Sequence, residues 1–249
     1  AGQPASSAAF AIDTIAPSLA IAAPNLGSDD ILSVIEAGQP LTISGTSSGV
    51  EDGQTVTIIL AGTSYIATVS GNSWSTDIPV VALQALAEGS QMITANVSDV
   101  AGNAAAEVTH QFSVDTVAPA SLSFILRRDT GTDTSDGITS DNYIIVSGLE
   151  SGASWEYSVD GGLNWSNGTG ASFILDDDDY SDGDIQARQT DVAGNVSQPA
   201  ELGPVNIDTA PPRLISSIAV TRNNIYYPRI TDLADGSYII TWFLKPDPN

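Results

Sequence analysis

The chain has 249 residues, and its 30 Asp and Glu against 7 Lys and Arg give a formal charge of −23. That balance excludes a basic nucleic-acid surface, because neutralising phosphates takes Lys and Arg, and it opposes docking on an anionic membrane. At 42% hydrophobic residues the chain still has enough apolar surface for one to three packed domains, so it is not a charge-driven disordered tail. Cysteine is absent, which removes disulfides, thiolate metal sites and cysteine nucleophiles together. The acids are mostly Asp, a loop former, and so few bases leave them needing another counter-charge. A hard divalent cation bound through oxygen meets that need.

In chain order, Ala1-Gly2-Gln3-Pro4 has neither the basic nor the apolar region of a signal peptide and reads as a cut inside a longer chain. Residues 1–16 are expected to hold the last strand of a preceding repeat, around Phe10, plus a linker. Short β-branched runs bounded by Gly, Ser, Asn or Asp then predict strands at 41–44, 55–60, 65–69 and 92–97, and again at 143–146, 155–159 and 185–189. Only 80–87 is compatible with a helix, of two turns at most. Asp160-Gly161-Gly162 predicts a hairpin turn rich in positive-φ residues between Trp155/Tyr157/Val159 and Leu163/Trp165. About seven short strands per hundred residues predict an all-β chain of tandem immunoglobulin-like Greek-key β-sandwiches in an elongated array.

Internal repetition organises the chain. Ile12-Asp13-Thr14-Ile15-Ala16-Pro17 recurs at Val114-Asp115-Thr116-Val117-Ala118-Pro119 and at Ile207-Asp208-Thr209-Ala210-Pro211-Pro212, with the aspartates 102 and 93 residues apart. Ser98-Asp99-Val100-Ala101-Gly102-Asn103 recurs as Thr190-Asp191-Val192-Ala193-Gly194-Asn195 after 92 residues. Two linked motifs sharing one period define a tandem array. The boundaries follow as two complete domains, 17–118 and 119–211, and a partial or shortened third repeat over 212–249.

These Asp-Thr-x-Ala-Pro linkers and Asp-x-Ala-Gly-Asn loops, with the Asp129, Asp133, Asp136 and Asp141 cluster, resemble the bacterial Ig-like repeats of giant type I-secreted (RTX-type) adhesins and biofilm-associated proteins. The resemblance implies a secreted, cell-surface stalk that supports attachment or biofilm formation. In such a stalk Ca²⁺ stiffens the junctions between neighbouring repeats, and distal modules meet any host-surface or matrix ligand. The first domain departs from the pattern, having only Gly27-Ser28-Asp29-Asp30-Ile31 where the second has the cluster. Independently of the resemblance, Ca²⁺ wants six to eight oxygens from carboxylates, Asn side chains and carbonyls on loops. The expected ligands are Asp13, Asp99, Asn103, Asp115, Asp129, Asp136, Asp141, Asp191, Asn195 and Asp208. Asp99 and Asn103 are expected to share one seam with Asp115 and with Asp129, Asp136 or Asp141. The competing reading is that these residues only form turns and linkers.

Little in the chain serves catalysis. His110 is the single histidine, sits in a strand pattern and makes no triad or zinc site, and no phosphate-binding glycine loop is present. A non-enzymatic chain is therefore expected, without nucleic-acid partners or membrane insertion. The run Asp176–Asp184 fails the EF-hand template and is expected as a solvated loop. Trp74, Trp155, Trp165 and Trp242 are either core residues or a sugar-stacking platform. A glycan- or protein-binding module and an accessory sandwich of a secreted hydrolase remain the alternative functions.

Overall fold

The computed structural model describes residues 12–27 and 29–210, together with the strands Tyr226–Asp232 and Tyr238–Leu244. The chain folds as two compact units: the described residues up to Ala118 with Ala193–Asn195, and Pro119–Val192 with the described residues from Val196 onward. The expectations for residues 1–11 and for most of 212–249 lie outside the described residues.

In the first unit, β1 (Ser18–Ile21) is followed by β2 (Ile31–Leu32), β3 (Leu41–Ser48), β4 (Thr55–Leu60) and β5 (Thr63–Thr68). Then come β6 (Ser73–Ile78), a single helical turn α1 (Val80–Leu83), β7 (Gly89–Asn96) and β8 (Val108–Val114). They form a three-stranded sheet β1-β3-β6 and a five-stranded sheet β2-β8-β7-β4-β5. Burial alternates strictly along β3 and β4, and the inward set includes Ile43, Val56, Ile58 and Leu60 at 0–2% exposure. Each such burial is worth about 1.5–3 kcal/mol. The segment 22–30 takes the chain across from the sheet of β1 to the edge of the other sheet. There β2 pairs in parallel with β8, Ile31 opposite Ser113.

The second unit repeats the plan with β9 (Ser123–Leu126), β10 (Ile138–Thr139), β11 (Tyr143–Ser147), β12 (Ser154–Ser158), β13 (Ser166–Asn167) and β14 (Ser172–Ile174). It continues with β15 (Asp178–Tyr180), β16 (Gln186–Thr190), β17 (Ala200–Glu201), β18 (Val205–Ile207) and the hairpin β19 (Tyr226–Asp232) and β20 (Tyr238–Leu244). Sheet β14-β11-β9 matches β6-β3-β1, and β10 again pairs in parallel with the last strand of the sandwich, β18. The long β7 has as its counterpart two pieces, β15 and β16, separated by a turn at Ser181–Asp184 that Gly183 at φ 81° allows. A separate core forms here around Ile144, Leu175, Ile185 and Phe173, with Tyr157 stacked on Phe173 at 4.3 Å.

Two local expectations change. The expected hairpin is present, with β12 and β13 antiparallel and Gly161 and Gly162 at φ 71° and 83°, but Leu163 and Trp165 lie in its connection and not in the returning strand. Asp160 closes that connection by accepting the Asn164 amide at 2.8 Å and its Nδ2 at 2.6 Å, while the Gly162 amide donates to Ser158 Oγ at 2.9 Å. Asp178–Tyr180 is strand and not solvated loop, since Asp178, Asp179 and Tyr180 pair with Ile207, Asn206 and Val205.

Candidate functional site

The linker aspartates share one local geometry. Oδ1 of Asp13, Asp115 and Asp208 accepts the amide two residues ahead, from Ile15 at 3.0 Å, Val117 at 3.2 Å and Ala210 at 2.9 Å. Such Asx turns arise because a short carboxylate can replace a backbone acceptor. Among the described residues, Oδ2 of each has no hydrogen-bond donor.

The threonine that follows is held by an acid of its own unit. Thr116 donates its amide to Glu88 Oε2 at 3.1 Å and its hydroxyl to Glu88 Oε1. Thr209 donates its amide at 3.2 Å and its hydroxyl at 2.8 Å to Asp177 Oδ1. Glu88 immediately precedes β7, and Asp177 immediately precedes β15, its counterpart. Sequence reasoning missed this latch, although an acid at the same place before the equivalent strand was visible in both repeats.

The Asp-x-Ala-Gly-Asn loops clasp linkers. Asp99, 4% exposed, accepts the Asn103 amide at Oδ1 and Asn103 Nδ2 at Oδ2, both at 2.8 Å. The Asn103 side chain holds the Asp99 carboxyl below its usual range, although burial pushes it up. Asn103 Nδ2 also donates to the Asp13 carbonyl at 3.2 Å. Asn195, fully buried, makes the matching contact: its Nδ2 donates to the Asp115 carbonyl at 2.9 Å, and its Oδ1 accepts the Val34 amide at 2.9 Å.

This corrects the expected grouping. Asp99 and Asn103 sit with Asp13, not with Asp115, because β8 carries the chain from one pole of the sandwich to the other. Its seven residues span about 23 Å at roughly 3.3 Å each. The same rule holds in the second unit. Asp178 opposite Ile207 puts the start of β15 beside Asp208, and β15 and β16 then lead away toward Asp191.

The acidic cluster is likewise at the pole of Asp208. The Asp208 amide donates to the Thr139 carbonyl at 3.0 Å, and the Asp141 amide donates to Thr139 Oγ1 at 2.9 Å. Within its own unit the cluster reaches that pole because β9 crosses the sandwich before the cluster begins. Within the cluster, Asp136 Oδ1 accepts the Ile138 amide at 3.0 Å. Asp141 is gripped by Arg127 through Nε at 2.9 Å and Nη2 at 2.7 Å. That hydrogen-bonded pair lowers the Asp141 carboxyl and raises the Arg127 guanidinium, so Asp141 is held in an ion pair. Asp129 differs: Oδ2 accepts the Gly137 amide at 2.9 Å, while Oδ1 is buried and meets no donor among the described residues. A buried carboxylate oxygen without a donor fits a cation. Among the described residues no three His, Cys, Asp or Glu side chains converge as a metal centre, so a Ca²⁺ here would draw on carbonyls and Asn as well.

The aromatic candidates resolve differently. Trp74 at 3% and Trp155 at 7% exposure are core residues, and a Cβ on Gly45 or Gly168 would lie 2.3 Å or 2.1 Å from their rings. Arg188 covers a face of Trp165 at 4.0 Å and pairs with Glu156, which leaves that ring a poor sugar platform. The side chain of Trp242 lies outside the described residues. His110 Nε2 lies 3.4 Å from Asp30 Oδ1 on the strand face. Among the described residues no helix is long and apolar enough to cross a membrane.

No protein-family model and no curated protein matches the chain. Among solved structures it is similar to a 1.5-MDa bacterial ice-binding adhesin retained on the host cell surface, with 19% identity and a TM-score of 0.47, covering 77% of this chain and 65% of that one. It is also similar to a Ca²⁺-stabilized adhesin that helps an Antarctic bacterium reach out and bind ice, with 21% identity and a TM-score of 0.49, covering 89% and 53%. A bacterial immunoglobulin-like domain from the M. primoryensis ice-binding adhesin is 30% identical with a TM-score of 0.31, covering 40% of this chain and 98% of that domain. The chain therefore spans 65% and 53% of the length of the first two. Its structural neighbours include adhesins, one of them a tetra-tandem repeat in the extending region of a large adhesion protein, and also fibronectin(III)-like modules from Clostridium thermocellum CbhA.

Proposed function

We propose that this chain is a calcium-rigidified extension segment of a bacterial surface adhesin, secreted and non-enzymatic, whose work is to project a binding tip in support of attachment or biofilm formation. The observation that supports it best is the repeated linker aspartate. In Asp13, Asp115 and Asp208 one carboxylate oxygen is spent on an Asx turn, and the other meets no donor among the described residues. Each spare oxygen, in a chain of charge −23 with seven bases, is a hard anionic donor of the kind that Ca²⁺ takes. Asp129 adds a buried oxygen of the same kind. Calcium at the linkers would restrict hinge motion between sandwiches, which small interfaces otherwise permit.

The test is a melting curve in EDTA, in Mg²⁺ and in millimolar Ca²⁺. Calcium is expected to raise the melting temperature, each site adding about 2.7 kcal/mol of stability at about 100 times its dissociation constant. Mg²⁺ should act weakly, because it demands rigid octahedral geometry. Asp115→Ala and Asp129→Ala should each reduce the calcium shift and the bound-metal content, while Asp182→Ala, on an exposed position, should leave both alone. Identical melting in EDTA and in calcium would sink the calcium reading.

A further inference from the structure

The first unit leaves one long sheet edge open. β5 is the terminal strand of its five-stranded sheet and pairs with β4 along all of Thr63–Thr68. Among the described residues its backbone makes no bond to anything but β4. Natural edges are usually blunted by shortness, charge, proline or a bulge. In this unit β1 has four residues, β2 has two, and β6 carries Asp77. By contrast β5, Thr-Ser-Tyr-Ile-Ala-Thr, has six regular residues without charge or proline, and Ile66 is 66% exposed on it.

Beside this edge runs an open groove of about 720 Å³, lined by Ile66, Thr68, Ser44, Thr46, Ser73 and Trp74 among others. The charges around it have one sign. No Lys or Arg occurs before Arg127. At the turn after β5, Asp52 Oδ1 accepts the Gly71 amide at 2.7 Å, and Asp77 stands exposed on β6. A second copy of the chain would bring the same carboxylates to the edge and be repelled, whereas a basic strand would be attracted.

We propose that the free edge of β5 is a docking site for an extended, cationic polypeptide segment, which adds to the sheet as a further strand beside the Trp74 groove. Backbone bonds to β5 supply affinity, alternate side chains enter the groove, and basic residues on the segment meet the surrounding acids.

The probe is a peptide about ten residues long, long enough to cover the edge, alternating lysine with valine. It is titrated into the full chain by calorimetry and amide NMR, beside a glutamate–valine peptide and a lysine–proline peptide that cannot pair as a strand. The lysine–valine peptide alone is expected to bind, with shifts confined to β5 and β6. Ser64→Lys and Ile66→Lys, both at exposed positions, should each weaken it by about tenfold. Absence of binding, equal binding to wild type and both lysine variants, or equal binding of the lysine–proline peptide would each overturn the proposal. So would sedimentation showing that the chain alone dimerises until Ile66→Lys is introduced, since the edge would then belong to a second copy.

Discussion

At the residue scale, buried or buttressed polar side chains hold the connections. Asp160 is held at about 2, first by the Asn164 side chain and then by its amide, against an ordinary 3.8. A depressed carboxyl contributes stability that is complete above its unfolded value and lost as the pH falls through its folded one. Melting temperature should therefore drop between about pH 4 and pH 2, and Asp160→Asn should flatten that limb; equal slopes in variant and wild type would refute the assignment. Gln189 is a stronger case because it is fully buried. Its Nε2 donates to the Ala120 carbonyl at 2.7 Å and the Gly148 carbonyl at 3.0 Å, while Oε1 accepts the Glu150 amide at 2.9 Å. In the first repeat the equivalent place holds the buried Val97, so nothing in the repeat pattern announced a polar clamp. Gln189→Ala should cost about 3 kcal/mol in urea unfolding, since buried groups lose their partners.

At the element scale, the linker threonine and the acid before the equivalent strand form a latch in both units. Glu88→Ala and Asp177→Ala should each cost about 1 kcal/mol and speed amide exchange at Thr116 and Thr209 respectively by about fivefold. Thr116→Ser keeps the hydroxyl and should preserve protection, and unchanged exchange in Glu88→Ala would show the contact to be incidental. Asp177 is thus a structural residue of its unit, although it belongs to a run that reads as solvated acid. The strands themselves were legible: short β-branched runs predicted β4 at the residues found and β3, β7, β11 and β16 to within a few residues. The turn at Asp160 was legible as a hairpin but not in its length, because its closure depends on the Ser158 and Asn164 side chains and not on Asp-Gly-Gly alone. The Ser33–Glu36 pair is similar. Ser33 donates its amide and hydroxyl to Glu36 at 3.0 Å, a capping box visible in sequence but unread.

At the scale of the whole molecule, charge is the dominant variable. Thirty acids against seven bases leave long-range repulsion that monovalent salt screens and a bound cation neutralises. Raising sodium chloride from about 0.01 M to about 0.15 M shortens the Debye length from about 30 Å to about 8 Å and should raise the melting temperature modestly. Calcium at matched ionic strength should raise it further if discrete sites exist, and an equal rise would mean that screening alone is at work. By itself the sequence determined the all-β tandem plan, because β-branched runs between turn residues and two linked repeats are local or one-dimensional signals. Only the tertiary structure decided which aspartates share a pole. Each strand carries the chain across the sandwich, so Asp99 meets Asp13 and the Asp129 cluster meets Asp208, while Asp115, sixteen residues after Asp99, lies a strand length away. Proximity along the chain and proximity in space diverge wherever one strand intervenes, and partner choice follows the second.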